Sequence, residues 1–250
     1  MPRRNGFFLA LVATTMLCKI ADLIVEVPGS GGMDSRCAEY GWETNETPDI
    51  VIREDRYDPT NMPGIAAEYV AYMESGFQFN GNLLRHNGMM LHSSAIVYEG
   101  KAYLFSGPCG MGKSTHTRLW QSVFGEGAQV INDDKPALRY IDGRWYAYGT
   151  PWCGKDGINK NRKVPLAGIC FLKQAPHNRI RRLSGLEAVQ KIMGQTIYRF
   201  RRAEMLDLML ERIGQLMEEI PVYELENRPE PDAVRLSYET MRRGAEENGL

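Results

Sequence analysis

The amino-acid sequence predicts an α/β fold in which helices flank a mixed, partly antiparallel sheet. Short apolar segments typical of buried strands alternate with helical segments along the 250 residues. Two predicted strands, 89–98 and 101–106, are separated only by Glu99 and Gly100, and so short a turn joins only antiparallel strands. The composition, 43% hydrophobic and 24% charged, is typical of a globular protein. We expect an amino-terminal β-rich segment over residues 1–88, packed on a larger domain over residues 89–250.

A glycine-rich stretch between a predicted strand and a predicted helix, 116–124, carries the clearest functional signal. Residues 107–115 read GPCGMGKST and match the phosphate-binding pattern G-x-x-x-x-G-K-[ST]. Glycines permit the tight turn in which backbone N–H groups point at phosphate oxygens, and the helix dipole adds positive charge there. We therefore predict a P-loop that binds ATP together with Mg²⁺. The predicted contacts are Gly107, Pro108, Cys109, Gly110, Met111, Gly112, Lys113, Ser114 and Thr115.

Three side chains of this stretch have distinct chemistry. Lys113 is expected to bridge the β- and γ-phosphates, and the Ser114 hydroxyl is expected to ligate Mg²⁺. Cys109 is either an oxidisable thiol or a small residue that fits the loop.

A second polar cluster follows the predicted strand 128–131. Asp133 and Asp134 stand at its carboxyl end, where one carboxylate can hold Mg²⁺ and the other can accept a proton from an attacking hydroxyl. Adjacent side chains at a strand end diverge, so the pair suits two roles better than one. A polar turn is the alternative interpretation. His92, in the predicted strand 89–98, is either a structural histidine or a residue that orients one of these carboxylates.

The order and spacing of these features resemble a known family. From residue 91 to residue 172, the chain resembles the catalytic domain of HPr kinase/phosphorylase and its relatives in the phosphoenolpyruvate-carboxykinase-like group. The resemblance implies the mixed, helix-flanked sheet of that group. It also implies that Asp133 is the general base, that Asp134 is its acidic partner near the metal, and that His92 supports them. Lys113 is a further catalytic residue through its place in the P-loop pattern. Ser114 is implied as the metal-ligating hydroxyl.

The sequence departs from that family at two places. HPr kinases carry a glycine-rich signature with an acidic metal contact where residues 149–156 here read GTPWCGKD, so that Asp156 is the one candidate for the contact. The HPr kinase amino-terminal domain is not evident in residues 1–88. We therefore expect a short relative of HPr kinase.

These features lead to a prediction of function with two alternatives. The first is an ATP- and Mg²⁺-dependent kinase that phosphorylates a hydroxyl, chiefly serine of a peptide or small protein. The alternatives are a kinase for a small hydroxylated metabolite, and a switch in which ATP orders the loop 150–164 for a partner. The presence of both Asp133 and Asp134 beside an intact Lys113 favours chemistry, since a switch needs no base.

The acceptor is expected to lie against cations and an aromatic ring, a combination that suits a peptide with acidic residues or a terminal carboxylate. A solvated lysine-rich loop is the alternative interpretation of residues 150–164. The candidate wall residues are Trp152, Lys155, Lys160, Arg162, Lys163, Arg199, Arg201 and Arg202.

Composition limits the partners and the compartment. A formal net charge of −1 gives no indication of nucleic acid or an anionic membrane as partner. Five cysteines without C-x-x-C spacing indicate reduced thiols in a cytoplasmic protein and no zinc site. The oligomeric state stays open. Arg3, Arg4 and the apolar run 7–13 imitate a signal peptide; the alternatives are a first strand or an extension before a natural start near Met16.

The remaining elements follow from periodicity and turn residues. The segment 66–74 stays undecided between helix and strand, and Asn87 with Gly88 has hairpin-turn chemistry. In helix 203–219, Leu206, Leu210, Ile213 and Met217 form the predicted core stripe. The other predicted elements are strands at 20–27, 49–53, 136–141, 145–149, 166–172 and 222–225, helices at 186–193 and 232–247, and a loop at 33–48.

Overall fold

The computed structural model describes residues 15–57, 60, 62–197 and 203–250, so the apolar run 7–13 lies outside the described residues. In the first of these segments, β1 (Thr15–Ile20) and β2 (Leu23–Pro28) form an antiparallel hairpin, and β3 (Ile50–Val51) runs parallel to β2. The sequence predicts a single strand over 20–27. Instead, Ala21 and Asp22, with φ of 53° and 60°, form a tight turn between two strands. The sequence does not indicate this turn because neither residue is glycine. The short helix α1 (Met33–Arg36) replaces part of the predicted loop.

Helix α2 (Ala67–Leu83) resolves the undecided segment, and it leads through a 3₁₀ turn, Leu84–His86, into β4 (Gly88–Met90). The predicted hairpin turn at Asn87 and Gly88 is wrong. Asn87 has φ of 55° and ends the helical segment, because a left-handed residue closes a helix as readily as it forms a turn.

The predicted antiparallel hairpin is confirmed. Strands β5 (Ser93–Tyr98) and β6 (Lys101–Ser106) pair from Tyr98 opposite Lys101 to Ser93 opposite Ser106. Glu99 and Gly100 form the turn with φ of 50° and 74°. Strand β6 leads through the glycine-rich loop into α3 (Lys113–Phe124), so the loop lies between strand and helix as predicted.

The remaining elements match the predicted order, with one addition, the arginine-rich strand β11. They are β7 (Gln129–Asn132), β8 (Ala137–Ile141), β9 (Arg144–Tyr148), β10 (Lys163–Gln174), β11 (Arg179–Arg182), α4 (Gly185–Gln195), α5 (Ala203–Glu219), β12 (Val222–Asn227) and α6 (Pro231–Glu247).

Within the described residues, strands β4 to β12 form one mixed sheet. Its order is β4-β8-β9-β10-β6-β5-β7, and β12 lies on the far half of β10 with β11 beside it. Strand β10 runs parallel to β6 and β12, whereas β5 is antiparallel to both β6 and β7. The mixed α/β architecture that the sequence predicts is therefore present.

Alternating side chains along the central strands fill a core on each face of the sheet. On β6, Ala102 and Leu104 point into the core that includes residues of α4 and α5, and Tyr103 and Phe105 point into the core that includes residues of α3 and α6. This period-2 pattern on a strand covered on both sides explains its continuous apolar sequence. Because β6 is fixed on both faces, the glycine-rich loop that follows it starts from a rigid position.

A third core belongs mainly to the amino-terminal segment. It includes Val25, Tyr72 and Phe79, together with Ala137 of β8 and Trp152. The helix α2 thus packs against the region that carries the Asp pair. No helix in the described part of the chain has the length and apolar character needed to span a membrane.

Two further predictions about individual elements are wrong, the second of them in part. The apolar stretch 89–98 is two strands, because the chain leaves β8 after Met90 and pairs with β6 from Ser93 onward; His92 therefore lies before β5 rather than in it. In the predicted stripe of α5, Ile213 is buried and Met217 packs against the core as predicted, whereas Leu206 and Leu210 are exposed. The other buried residues of this helix are Met205, Met209 and Leu216. Apolar residues occur on several faces of this helix, so spacing alone did not select the buried one.

Candidate functional site

The glycine-rich loop, residues 107–112, makes a turn that depends on its glycines. Gly107, Gly110 and Gly112 have φ of 146°, 80° and 99°, values that glycine adopts far more readily than any other residue. Gly112 is the amino-terminal cap of α3, so the positive end of the helix dipole points into the loop. The Lys113 ammonium donates to the carbonyl oxygens of Gly107 (2.8 Å) and Pro108 (3.3 Å). The predicted residues 107–115 are thus brought together at the start of α3.

In the part of the chain that the structure describes, two cavities flank this loop. The first, about 370 Å³, lies between Gly110, Thr115 and the ends of β10 and β12, where Gln174 and Arg228 line it. The second is a cleft of about 520 Å³ on the other side of the loop, bounded there by Pro108 and Cys109. We call the second cavity the acceptor cleft, after the phosphate acceptor that the sequence leads us to expect. Its other lining residues are Tyr69, Met73, Phe77, His92, Asp134, Lys135, Gly194, Gln195, Thr196 and Ile197.

His92, Asp134 and Lys135 form the polar floor of the acceptor cleft. His92 Nε2 lies 3.1 Å from Asp134 Oδ1, and the Lys135 ammonium donates to the other oxygen of the same carboxylate. Backbone contacts fix their positions: Ser93 N donates to Asp134 O (2.9 Å), and Ser106 Oγ donates to His92 O (2.8 Å). The break between β4 and β5 therefore places the histidine against the end of β7.

The second nitrogen of His92 is also engaged. Nδ1 lies 3.0 Å from Gln195 Oε1, and the orientation of that amide is fixed because its nitrogen donates to Gly194 O. A carboxylate oxygen and an amide oxygen both accept hydrogen bonds, so the two contacts are satisfied together when both ring nitrogens carry hydrogen. The ring of His92 is therefore held on both sides, by Asp134 and by Gln195.

Asp133 points to a different partner. Its Oδ1 accepts the backbone N–H of Gly154 (2.7 Å), and its Oδ2 accepts that of Asp156 (3.2 Å). Asp133 is buried and is absent from the described lining of the acceptor cleft. The two carboxylates diverge as the sequence predicts: Asp134 faces the cleft, and Asp133 ties the loop after β9 to the end of β7.

Electrostatics separate the two carboxylates further. Burial raises the pKa of Asp133 against the opposing effect of its backbone hydrogen bonds. For Asp134, burial acts in the same direction, but the hydrogen bond with His92 and the Lys135 ammonium outweigh it and lower the pKa to about 2. Burial lowers the pKa of Lys113, partly offset by the charge of Asp134. Asp134 is therefore ionised near neutral pH, and its charge acts on Lys113.

Comparison with known proteins gives a family assignment. Residues 74–228, more than half of the chain, match the family described as SynChlorMet cassette protein ScmC. The chain belongs to this family. The matched range contains the glycine-rich loop, the acceptor cleft floor and both aspartates.

No curated protein matches the sequence. Among solved structures, the chain is similar to the Hpr(Ser) kinase/phosphatase from Coxiella burnetii, with 13% identity, 61% of this chain and 97% of that chain covered, and a TM-score of 0.33. A similarity at that TM-score carries no inference about activity.

The residues of this ScmC-family chain fit a phosphate-bound Mg²⁺ better than a metal held by protein alone. Within the described residues, there is no cluster of three or more metal-ligating side chains. Mg²⁺ is commonly held by one or two protein oxygens plus phosphate and water, and the partly exposed Ser114 at the start of α3 suits this role. Asp134 suits it less, because His92 and Lys135 already contact its two oxygens. Asp156 pairs with Arg118 at 2.7 Å and lies outside the described cleft lining.

The loop between β9 and β10 is in part the solvated, lysine-rich loop of the alternative interpretation, since Lys155, Lys160 and Arg162 are exposed, but its first residues are buried. Trp152 is fully buried, stacks on Phe79 with ring centroids 4.6 Å apart, and donates from its indole nitrogen to Ser75 Oγ (3.0 Å). It therefore does not line a surface groove, and this prediction is wrong. The loop is anchored to the amino-terminal segment, since Tyr72 OH donates to Cys153 O (2.9 Å) and Tyr40 OH donates to Asn159 O (2.9 Å).

The cations of the predicted acceptor wall pair with separate partners. Lys160 pairs with Glu39 (2.6 Å), and Lys163 pairs with Asp22 (2.8 Å). Arg162 donates to Gln129 Oε1 (2.6 Å). These residues and the exposed Lys155 do not belong to the described lining of the acceptor cleft, and Arg199, Arg201 and Arg202 lie outside the described residues.

Sequence reasoning missed three residues of the site: Lys135, Gln195 and Tyr72. Lys135 follows the Asp pair directly, so a basic residue in a row of site residues was an available signal. Gln195 ends α4 and Tyr72 lies in α2, and no sequence pattern connects either residue with His92 or Asp134.

Proposed function

We propose that this protein is an ATP- and Mg²⁺-dependent kinase that transfers the γ-phosphate to a hydroxyl, chiefly serine of a peptide or small protein. The observation that carries this proposal is the position of the glycine-rich loop between a nucleotide-sized cavity and a cleft whose floor holds an ionised carboxylate. A phosphate donor and a hydroxyl acceptor are thereby assigned to opposite sides of one loop.

The donor side suits a nucleotide. The loop N–H groups and the α3 amino terminus bind phosphate oxygens, and the base and ribose occupy the cavity near Gln174 and Arg228. Lys113 leaves the loop carbonyls to bind the phosphates. Ser114 holds Mg²⁺, which neutralises phosphate charge when bound.

On the acceptor side, Asp134 is the proposed base. The acceptor oxygen forms a bond to the γ-phosphorus, the bond from that phosphorus to the β–γ bridging oxygen breaks, and ADP leaves. The hydroxyl proton passes to Asp134, whose carboxylate has lone pairs beyond those used by His92 and Lys135. We propose Asp134 rather than Asp133, for which the family resemblance implies this role, because Asp134 lines the acceptor cleft whereas Asp133 is buried and absent from the described lining.

The acceptor is proposed to carry an apolar group beside its hydroxyl. Tyr69, Met73 and Phe77 follow one another by one helical turn along α2 and form an apolar wall of the acceptor cleft. Tyr69 is 53% exposed, which suits a wall that a ligand covers. We therefore propose an apolar acceptor instead of the acidic one that the sequence predicts. The lysines and the arginine of the loop 150–164, on which that prediction rests, lie outside the described cleft lining.

Phosphoryl transfer from γ-labelled ATP tests the proposal. The purified protein is incubated with Mg²⁺ and matched peptides in which serine is flanked by leucine and phenylalanine or by aspartate and glutamate, each with a serine-to-alanine control. Label is expected on serine of the apolar peptide. Efficient labelling of free serine or a sugar, with no peptide labelled, would instead indicate a metabolite kinase. Nucleotide binding with no transfer to any acceptor would favour the switch.

A further inference from the structure

We infer that Lys135 is a second phosphate-binding lysine, which contacts the γ-phosphate from the acceptor side. This inference rests on the proposed function, and it adds a residue that neither the P-loop pattern nor the family resemblance assigns. Lys113 would hold the phosphates from the side of α3, and Lys135 would hold the γ-phosphate from the floor of the acceptor cleft.

The position of Lys135 is the first argument. It lines the same cleft as Pro108 of the glycine-rich loop, and its charge contributes to the lowered pKa of Lys113, so both ammonium groups lie in one electrostatic environment. Its side chain is only 11% exposed, unlike the solvated surface lysines of this chain. The ammonium is held by Asp134 and by Tyr72, whose hydroxyl oxygen accepts a hydrogen bond at 3.2 Å.

The hydrogen-bonding capacity of Lys135 is the second argument. An ammonium group has three N–H donors, and here two of them are directed to Asp134 and Tyr72. Within the described residues, the third has no acceptor. A largely buried cation with an unused donor at the floor of a cleft is suited to an incoming anion.

The balance of charge around Asp134 is the third argument. The charges of Lys113 and Lys135 both act on this one carboxylate, and the Arg36 guanidinium lies over the Tyr72 ring at 4.6 Å. Asp133, the other carboxylate nearby, is tied to backbone N–H groups of the following loop. The cluster therefore carries excess positive charge in a partly buried site, where an unmatched charge is costly. A γ-phosphate provides the missing negative charge.

A simple ion pair is the competing explanation, in which Lys135 only keeps Asp134 ionised. The two explanations differ in their dependence on the γ-phosphate. A lysine that contacts the γ-phosphate contributes to the affinity for ATP and little to that for ADP, whereas a lysine that serves only Asp134 affects both nucleotides alike.

Calorimetric titration of Mg·ATP and Mg·ADP tests this difference. In Lys135→Met, we expect the affinity for ATP to fall by about ten- to a hundredfold, with that for ADP changed by less than about threefold. The control is Lys191→Met. Lys191 lies in α4 and pairs with Glu224 of β12 at 2.8 Å, so its replacement should change the affinity for neither nucleotide. Lys135→Arg keeps the charge and should retain most of the preference for ATP. If Lys135→Met fails to fold, Lys135→Gln, whose amide still hydrogen-bonds Tyr72, is titrated instead.

Equal losses for both nucleotides, or no loss for either, would overturn the role of Lys135 while leaving the proposed kinase intact. Failure of the wild-type protein to bind either nucleotide would overturn the proposed function, and the inference with it.

Discussion

The imidazole of His92 lies 3.1 Å from the carboxylate of Asp134, although the two residues belong to different strand ends of the sheet. His92 precedes β5, and Asp134 follows β7, so the pair forms only when β5 and β7 are neighbours. Gln195 holds the opposite nitrogen of the ring, and Lys135 holds the opposite oxygen of the carboxylate. This chain of contacts defines which carboxylate the acceptor cleft contains.

Asp134→Asn should abolish most of the phosphoryl transfer. The substitution keeps the shape of the side chain and removes its charge, so the transfer rate should fall by about 10²- to 10⁴-fold with nucleotide affinity changed much less. Steady-state transfer from labelled ATP measures the rate. Asp142→Asn is the matched control, because Asp142 lies in the β8–β9 turn with φ of 50°, which asparagine tolerates. Transfer that stays at the control level in Asp134→Asn would exclude Asp134 as the base.

Asp133→Asn should act through the loop that follows β9. An asparagine amide offers one acceptor, and its NH₂ group faces one of the two N–H groups of Gly154 and Asp156. We expect a loss of about 1–3 kcal/mol in the free energy of unfolding and faster hydrogen exchange at those two amides. A loss of transfer larger than that of Asp134→Asn, with exchange unchanged, would restore Asp133 as the base.

The contrast between these aspartates shows what the sequence could predict. The structure of residues 93–124, from β5 to α3, could be predicted from local sequence, namely from the turn at Glu99 and Gly100 and from the glycines of the loop. The division of labour between Asp133 and Asp134 depends on which partner each one meets, and those partners lie far away in the chain. Lys135 and Tyr72 meet only because α2 packs against the end of β7, and no local pattern encodes that contact.

Other errors arise in the same way, where the local sequence does not record which partner a segment meets. The apolar run around His92 contains no glycine or proline at the point where the chain changes strand partners, so it looked like one strand. Trp152 lies in a loop rich in lysine, and only the position of Phe79 explains why its ring is buried. The division at residue 88 and the roles of the site residues remain predictions.

Gly149→Ala should destabilise the protein strongly. A Cβ atom at this position would lie 1.9 Å from the carbonyl oxygen of Lys160 and 2.8 Å from that of Ile131, so backbone segments would have to separate. We expect a loss of several kcal/mol, in the range of severe overpacking. Gly214→Ala is the control, because nothing surrounds that position in α5, and it should stabilise the helix by roughly 0.5–1 kcal/mol. Equal stability of the two variants in urea unfolding would contradict this close approach.

His116 should make stability depend on pH. Burial lowers its pKa from 6.5 to about 3, and its Nε2 accepts the Trp120 indole N–H (3.2 Å). Below pH 6.5 this histidine binds a proton in the unfolded chain, whereas in the folded chain it binds one only near pH 3. The free energy of unfolding should therefore fall with decreasing pH, by up to about 1.4 kcal/mol per pH unit from this group. His116→Gln removes the titration, so urea unfolding at pH 7, 6 and 5 should give a shallower slope. Identical slopes would contradict the assignment.

Binding of Mg·ATP to wild type and Lys113→Ala tests the central claim most directly, namely that the glycine-rich loop holds a nucleoside triphosphate. Saturating Mg·ATP should raise the melting temperature of the wild-type protein, since stabilisation grows with the logarithm of ligand concentration over Kd. Lys113→Ala should fold, as judged by its circular dichroism, and lose this shift. An unchanged shift in Lys113→Ala, or no shift in the wild type at any nucleotide concentration, would contradict the account.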